Sequence, residues 1–353
     1  RDQPRSRGLG DVYKRQDLNP SYDESQNAYP IRISVKEGTD MTSLAPIFEL
    51  TPGATISPAS GSVQNFTTPV RYTVTSEDKA WHRVYAITAR EQKASNIPTT
   101  YHFEKVRIMQ NVWQEFYEEQ DSGNELTWAS GNKGFKWAMS EAATEDYPTT
   151  QIDNGKTGKC VKLETRLTGD LGNMVGMPIA AGNLFIGSFD MLNAITNPLS
   201  ATRFGTPFYN KPLRLTGYYK YKAGEQFYEN GEYTSRKDIF NIYAIFYDGV
   251  KYDSAGKGTD VTLDGNLPNQ NYEHSSMVAL ALVSNPQETE GDEWKFFDIP
   301  FDYQRYGKKI DEARLAKGEY KIGIIFASSK DGATFEGAPG STLLIDEVEL
   351  IYE

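Results

Sequence analysis

Strand signals follow one another from residue 100 to residue 353, with almost no helical periodicity between them. The runs alternate apolar and polar residues and are separated by turn residues, which is the pattern typical of β-strands. Only residues 308–316 carry a pattern that predicts a short helix. A double sheet accommodates this many strands without leaving long exposed edges. We therefore predict an all-β fold in which residues 100–353 form one large jelly-roll β-sandwich.

Two of these runs assign side chains to opposite faces of the predicted sheets, because successive residues on a strand point in opposite directions. In residues 213–222, one face carries the core side chains and the other carries Arg214 and Tyr218. In residues 239–247, the even-numbered residues are expected in the core. The opposite face of that run then carries Asn241, Tyr243 and Tyr247.

The final run, residues 340–353, contains one ionisable residue in an otherwise apolar row. Strict alternation would place Leu344, Asp346, Val348 and Leu350 together in that row. An unpaired buried carboxylate costs several kcal/mol, so Asp346 must be hydrogen-bonded, paired or bound to a cation. We expect this strand to close the sheet and fix the first and last strands together.

Composition excludes some partners. The formal net charge is −11 and no basic stripe offsets it, so nucleic acid is excluded as a partner. Aromatic residues make up 12% of the chain, and such residues are favoured both in strands and on binding surfaces. Cys160 is the single cysteine, so no internal disulfide forms, and the three histidines lack the spacing of metal ligands. No apolar run approaches the ~20 residues of a membrane helix.

The chain before residue 100 divides into a terminal segment, a small domain and two linkers. Residues 1–16 are interpreted as a sequence artefact or tag, and the polar, turn-rich residues 17–27 as a linker. Alternating runs at intervals of about ten residues predict a β-sandwich over residues 28–92. Residues 93–99 form the second linker.

Three segments of the small domain carry a family resemblance: residues 52–61 (PGATISPASG), 70–78 (VRYTVTSED) and 81–85 (WHRVY). They resemble the immunoglobulin-like modules of Bacteroidetes surface lipoproteins, which are spacers between a lipid anchor and a functional domain. The resemblance implies an exported chain at the outer-membrane surface or in the periplasm of a Gram-negative bacterium. Contact with the membrane is expected only through an N-terminal lipid anchor that this sequence has lost.

Four segments of the larger domain carry a second resemblance. They are residues 128–135 (WASGNKGF), 147–150 (YPTT) with 155–163 (GKTGKCVKL), 215–222 (LTGYYKYK) and 331–350 (DGATFEGAPGSTLLIDEVEL). Together they resemble the putative carbohydrate metabolism domain of Bacteroidetes proteins. The resemblance implies a galactose-binding-like jelly roll in a glycan-uptake system, with outer-membrane glycan-uptake proteins as partners. The family has a glycoside hydrolase label but supplies no catalytic residues to transfer.

The first and last strands of the larger domain carry a candidate cation site. In many carbohydrate-binding jelly rolls, a carboxylate on each of these strands shares a calcium ion, and Glu104 and Asp346 occupy the matching positions. Calcium takes roughly six to eight oxygen ligands, so backbone carbonyls and further carboxylates would have to complete a structural site. The alternative is that backbone N–H groups or a lysine hold Asp346.

Sugars stack on exposed aromatic side chains that have hydrogen-bonding neighbours. The alternative for each aromatic candidate is burial beneath the second sheet or a long loop. Catalysis would require two carboxylates roughly 5–10 Å apart, and spacing singles out no such pair. The aromatic candidates are Trp128, Trp137, Tyr218, Tyr243 and Tyr247, and the hydrogen-bonding candidates are Arg214 and Asn241.

These observations predict an exported protein that binds a poly- or oligosaccharide through its jelly roll, as part of a polysaccharide-utilisation system. Two alternatives remain open. A glycoside hydrolase would hold a carboxylate pair in a groove of the jelly roll, whereas a structural or adhesin-type surface subunit would show neither binding nor turnover. No cofactor is expected apart from structural calcium.

Overall fold

The structure is a computed structural model that describes residues 5–6, 14–15, 20–36, 38–92, 94–120 and 122–353. The chain divides into two compact units, Arg1–Ala94 together with Glu353, and Ser95–Tyr352. Both units are mostly β, as predicted. Most of the segment interpreted as an artefact, residues 1–16, lies outside the described residues. None of the helices in the described ranges has the length and hydropathy that a membrane span requires.

The strands of the first unit are β1 (Arg5–Ser6), β2 (Lys14–Arg15), β3 (Tyr29–Lys36), β4 (Phe48–Glu49), β5 (Thr55–Ser57), β6 (Val70–Thr75) and β7 (His82–Gln92). Five of them form a sheet with the order β2-β3-β7-β6-β5, in which β3 and β7 run parallel. A further pair joins β1 to β4. The core takes every second residue of the longer strands, and it contains Ile33 of β3, Tyr72 of β6 and Ile87 of β7.

The second unit consists mainly of strands joined by loops and short helices. Its strands are β8 (Thr100–Tyr101), β9 (Val106–Met109), β10 (Trp113–Glu119), β11 (Glu125–Thr127), β12 (Thr149–Asp153), β13 (Lys159–Glu164), β14 (Arg166–Leu167), β15 (Ile179–Ala180), β16 (Asn183–Phe185), β17 (Gly187–Phe189), β18 (Thr202–Phe204), β19 (Thr206–Pro207), β20 (Pro212–Lys222), β21 (Phe227–Glu229), β22 (Glu232–Thr234), β23 (Asn241–Asp248), β24 (Val250–Tyr252), β25 (Gly258–Asp260), β26 (Leu263–Asp264), β27 (Met277–Leu282), β28 (Lys295–Pro300), β29 (Tyr320–Ala327) and β30 (Thr342–Tyr352).

Two larger sheets form the body of the second unit. The front sheet has the order β12-β13-β30-β20-β28, and β8 also pairs with β30. The back sheet has the order β16-β29-β23-β27, and β19 also pairs with β29. The largest buried cluster contains Val161, Leu215 and Ile345 from the front sheet together with Ile242 and Phe326 from the back sheet. The two sheets therefore pack against each other through their inner faces.

The face assignments made for two runs are confirmed. Tyr219 and Tyr221 on β20 lie in the cluster between the sheets, whereas Arg214 and Tyr218 do not. On β23 and the residue before it, the same cluster contains every even-numbered residue of 240–246.

The expectation that residues 308–316 would hold the only helix is wrong. That segment does contain a helix, but further helices precede it in the second unit. Each of the earlier three has seven residues or fewer, which is too short for a helical apolar period to show in a window of about 11 residues. The helices are α1 (Asn132–Ala138), α2 (Gly169–Met174), α3 (Met191–Thr196) and α4 (Glu312–Ala316).

The closing strand β30 lies inside the front sheet, between β13 and β20, and does not keep one alternation. Odd-numbered residues face the core before residue 346, and even-numbered residues do so from residue 348 onwards. Glu347 has a φ of +48°, and the register with β20 shifts between Thr216 and Tyr218. These features define a β-bulge. The expected single row containing both Asp346 and Val348 is therefore wrong.

Candidate functional site

The outer face of the front sheet carries a row of polar and aromatic side chains on β20 and β28. Tyr218 lies directly opposite Phe296 in the antiparallel register. Their ring centroids are 5.2 Å apart and the ring planes are tilted by 55°. Phe296 is 50% exposed and Tyr218 is partly exposed, so both rings are accessible. We call the following residues the outer-face row: Arg214, Thr216, Tyr218, Lys220, Phe296 and Asp298.

Charged side chains lie on both sides of the aromatic pair. Towards one end, Nε of Arg214 donates a hydrogen bond to Oδ1 of Asp298 at 2.6 Å. Towards the other end, Nζ of Lys220 donates to Oδ1 of Asp292 at 2.5 Å and lies 5.0 Å from the ring centroid of Trp294. A strand rises about 3.3 Å per residue, so the row extends for about 20 Å, which is long enough for several sugar units.

A turn at residues 154–159 lies over the outer face beside the aromatic pair. Nζ of Lys156 lies 4.8 Å from the ring centroid of Tyr218. The backbone N–H of Thr157 donates to Oδ2 of Asp346 at 3.0 Å. Since Asp346 is the register partner of Tyr218, this turn connects the bulge of β30 to the outer-face row.

The same turn contacts both residues that are expected to share calcium. The backbone N–H of Lys159 donates to Oε1 of Glu104 at 2.8 Å. Asp346 also accepts from the N–H of Glu347 at 2.8 Å through its other oxygen, and burial raises the pKa of Asp346 to about 6. Within the described ranges, no group of three or more His, Cys, Asp or Glu is placed to hold a metal ion. A calcium ion here would therefore need carbonyl oxygens in addition to the two carboxylates.

Trp128 belongs to the core, and the expectation that it forms part of a sugar-binding surface is wrong. It is 1% exposed. Its ring packs against Tyr101, Phe103 and Phe326 at centroid distances of 5.0, 5.7 and 5.9 Å. The polar residues that follow Trp128 suggested a surface loop, but the side chain itself fills the space between the two sheets.

Tyr243, Tyr247 and Asn241 lie on the outer face of the back sheet but are buried there, so they do not form an exposed platform. A second buried cluster covers this face with side chains from distant segments. Oη of Tyr247 donates to the carbonyl of Phe204 at 2.6 Å, and Nδ2 of Asn241 donates to Oη of Tyr272 at 2.9 Å. Burial raises the pKa of both Tyr243 and Tyr247, which keeps their hydroxyls neutral.

Trp137 lies beside a cavity between the outer face of the back sheet and the helices α1, α2 and α3. The cavity has a volume of about 170 Å³, and Asn241 and Tyr243 contribute to its wall. Trp137 is 38% exposed, so it lies where the cavity meets solvent. Of the residues predicted to bind sugar, two lie in the outer-face row (Arg214 and Tyr218) and three line this cavity (Trp137, Asn241 and Tyr243). Trp128 and Tyr247 belong to neither.

A groove runs beside β28 and shares Phe296 and Asp298 with the outer-face row. Its volume is about 560 Å³. Its lining residues include two aspartates, Asp298 and Asp302. Oδ1 of Asp302 accepts hydrogen bonds from the backbone N–H groups of Gln304 and Arg305 at 2.9 and 3.0 Å. Further lining residues are Asn285, Lys295, Phe296 and Arg305.

Phe296, Asp298 and Trp294 are not among the site residues predicted from the sequence. A signal was present, because residues 296 and 297 are consecutive phenylalanines on a predicted strand and one of them had to face away from the core. Phe297 is the buried one. The pairing with β20 could not be predicted, since it joins residues as far apart as Arg214 and Asp298, which are 84 positions apart.

Comparison with known proteins places these features in a family context. The family model described as "Putative carbohydrate metabolism domain" matches residues 102–351, and the one described as "SGBP, N-terminal" matches residues 18–89. These matches confirm the family resemblance drawn from the sequence. A search of curated proteins found no match.

Two solved structures are similar to this chain. The crystal structure of a putative glycoside hydrolase from Bacteroides vulgatus ATCC 8482 is 50% identical, with a TM-score of 0.68, over 74% of this chain and 100% of that chain. The crystal structure of a putative glycoside hydrolase from Bacteroides thetaiotaomicron VPI-5482 is 44% identical, with a TM-score of 0.65, over 100% of this chain and 97% of that chain.

Proposed function

The chain belongs to the family described as "Putative carbohydrate metabolism domain", and we propose that it is an exported glycan-binding protein of a polysaccharide-utilisation system. The N-terminal match is to a domain of surface glycan-binding proteins, which supports a place at the outer-membrane surface or in the periplasm of a Gram-negative bacterium. Its ligand is a poly- or oligosaccharide, and outer-membrane glycan-uptake proteins are its partners.

The observation that carries this proposal is the pair formed by Tyr218 and Phe296 on an open sheet face. The two rings supply apolar area against which the C–H face of a sugar can lie. Arg214 and Asp298 at one end and Lys220 at the other supply charged groups for sugar hydroxyls. A glycan chain would run along β20 and β28 and extend into the groove beside β28.

The test is a polysaccharide panel screened for affinity by glycan array, followed by calorimetry on the best ligand. We expect Phe296→Ala and Tyr218→Ala each to weaken binding roughly tenfold, because each removes a stacking surface worth about 1.4 kcal/mol. Tyr233→Ala is the matched control, since Tyr233 is 51% exposed but lies on β22 and outside the outer-face row. If both Phe296→Ala and Tyr218→Ala keep the affinity of wild type, the glycan does not bind to this face.

A glycoside hydrolase is the second candidate function, favoured by the two carboxylates in the groove beside β28. A parallel assay of reducing-sugar release separates the two functions. If wild type releases reducing sugar and Asp302→Asn does not, the protein is a hydrolase and the binding-only proposal is wrong. If the protein binds no glycan and releases no sugar, a structural or adhesin-type subunit is the remaining function.

We also propose a galactose-binding-like jelly roll for the second unit, an immunoglobulin-like sandwich for the first, and a structural calcium ion between Glu104 and Asp346. The turn at residues 154–159 supports the calcium proposal, because both carboxylates lie against it. Anything that binds only the folded state stabilises it, so chelation should lower the melting temperature. An unchanged melting temperature after chelation would remove the calcium ion from the proposal.

A further inference from the structure

The cavity between the back sheet and the helices α1, α2 and α3 lies apart from the outer-face row. Its volume is about 170 Å³. This is close to the about 150 Å³ of an apolar cavity that holds one benzene molecule, and well below the roughly 300–1,000 Å³ of sites for drug-sized ligands. The space therefore fits a single six-membered ring.

The wall of the cavity suits an aromatic ring better than a sugar. Two of its polar side chains already hold hydrogen bonds within the protein: Nδ2 of Asn241 donates to Oη of Tyr272 at 2.9 Å, and Oδ1 of Asn183 accepts from the N–H of Gly131 at 2.7 Å. Because most of the other lining residues are apolar or glycine, a sugar ring would leave several of its hydroxyls without partners there, which is costly in a buried site. Large apolar and aromatic residues of the wall are Phe135, Trp137, Phe189, Met191, Phe204 and Phe335.

One residue of the cavity wall carries a positive charge. Among the described residues that line the cavity, Lys330 is the only one with a charged side chain. It is exposed, and no ion pair of its ammonium group occurs in the described part of the chain. A ligand with its ring inside the cavity and an anionic group at the opening would match both the wall and this charge.

We propose that the cavity binds a single-ring aromatic carboxylate of the hydroxybenzoate or hydroxycinnamate type, with the ring inside and the carboxylate towards Lys330. This site does not depend on glycan binding by the outer-face row. An aromatic ester offers the same ring without the charge, so the affinities of an acid and of its methyl ester distinguish the two kinds of ligand.

The experiment is calorimetry on the full chain with 4-hydroxycinnamate, its methyl ester and glucose. We expect the acid to bind more tightly than the ester, and glucose not to compete. Ala327 lies on β29 in the wall of the cavity, so Ala327→Phe should fill the space and weaken both aromatic probes at least tenfold without lowering the melting temperature. If that variant fails to fold, Ala194→Leu fills the cavity from α3.

The charge is tested separately. Lys330→Gln should weaken the acid about fivefold and leave the ester unchanged, as expected for one exposed ion pair. Lys317→Gln, which alters an exposed lysine outside the cavity wall, is the matched control and should change neither affinity. Absence of binding by both aromatic probes, or full affinity in the filling variants, would overturn the site. Tighter binding of the ester than of the acid would overturn the role of Lys330.

Discussion

Replacement of Trp128 by alanine separates a core role from a binding role. Trp128 is 1% exposed and contacts the rings of Tyr101, Phe103 and Phe326. Among the described residues its Nε1 has no hydrogen-bond partner, so the loss would be one of packing alone. Removing a buried tryptophan costs about 3–5 kcal/mol, because the surrounding core collapses only in part. For a unit of this size, about 2–4 °C is lost per kcal/mol, which predicts a melting temperature lowered by roughly 6–20 °C.

The assay is differential scanning calorimetry on wild type, Trp128→Ala and Trp137→Ala. The same residue type is removed in both variants, but Trp137 is 38% exposed and should shift the melting temperature by only a few degrees. At a temperature where Trp128→Ala remains folded, its glycan affinity should equal that of wild type. A Trp128→Ala protein that melts like wild type, or that stays folded and loses glycan affinity, would refute the core assignment.

Three further predictions concern stability, and each is read from urea denaturation. Burial raises the pKa of Asp346 from 3.8 to about 6, so the folded state prefers the protonated carboxyl. The contribution of Asp346 to the free energy of unfolding is therefore fully present below pH 3.8 and is lost as the pH rises to 6. In buffer that contains a chelator, the free energy of unfolding of wild type should fall by about 3 kcal/mol relative to that of Asp346→Asn over this pH interval. If the two proteins show parallel curves of unfolding free energy against pH, the raised pKa is contradicted. Gly158→Ala should destabilise by about 1 kcal/mol more than Gly256→Ala: both positions have positive φ, but only at Gly158 would a Cβ overlap Oε1 of Glu104. Equal losses would show that Glu104 moves aside without cost. Asp238→Ala should lower the free energy of unfolding by about 3–5 kcal/mol, because two serine hydroxyls and a backbone N–H that donate to the buried carboxylate would lose their partner. A loss below about 1 kcal/mol would contradict that account.

Alternation along single strands could be predicted from the sequence wherever the strand is regular. The assignment of Tyr218 to the outer face and of Ile242 to the core required only the two-residue period of a strand. It failed on β30, where the bulge at Glu347 moves the later residues to the other face. A bulge of this kind is set by pairing with β20 and by the turn that holds Asp346, and neither is visible in the run itself.

What covers a face could not be predicted in the same way. Tyr243 was correctly assigned to the face opposite the core, yet segments as distant as Phe204 and Tyr272 bury it. The short helices beside that face carry no periodicity long enough to identify them. Exposure therefore depended on long-range packing, whereas the direction of each side chain depended only on local geometry.

The difference between the two outer faces is the reason that we propose two unlike sites on one unit. Both sheets turn one face to the shared core, so ligands must meet the other faces or their coverings. On the front sheet that face is open, and Tyr218 and Phe296 stand among charged groups where a hydrated glycan can lie. On the back sheet, loops and the helices α1, α2 and α3 cover the face and leave a small apolar space beside Trp137. The class of ligand that we propose for each site then follows from whether the face is covered, and not from the aromatic residues alone, which both proposed sites share.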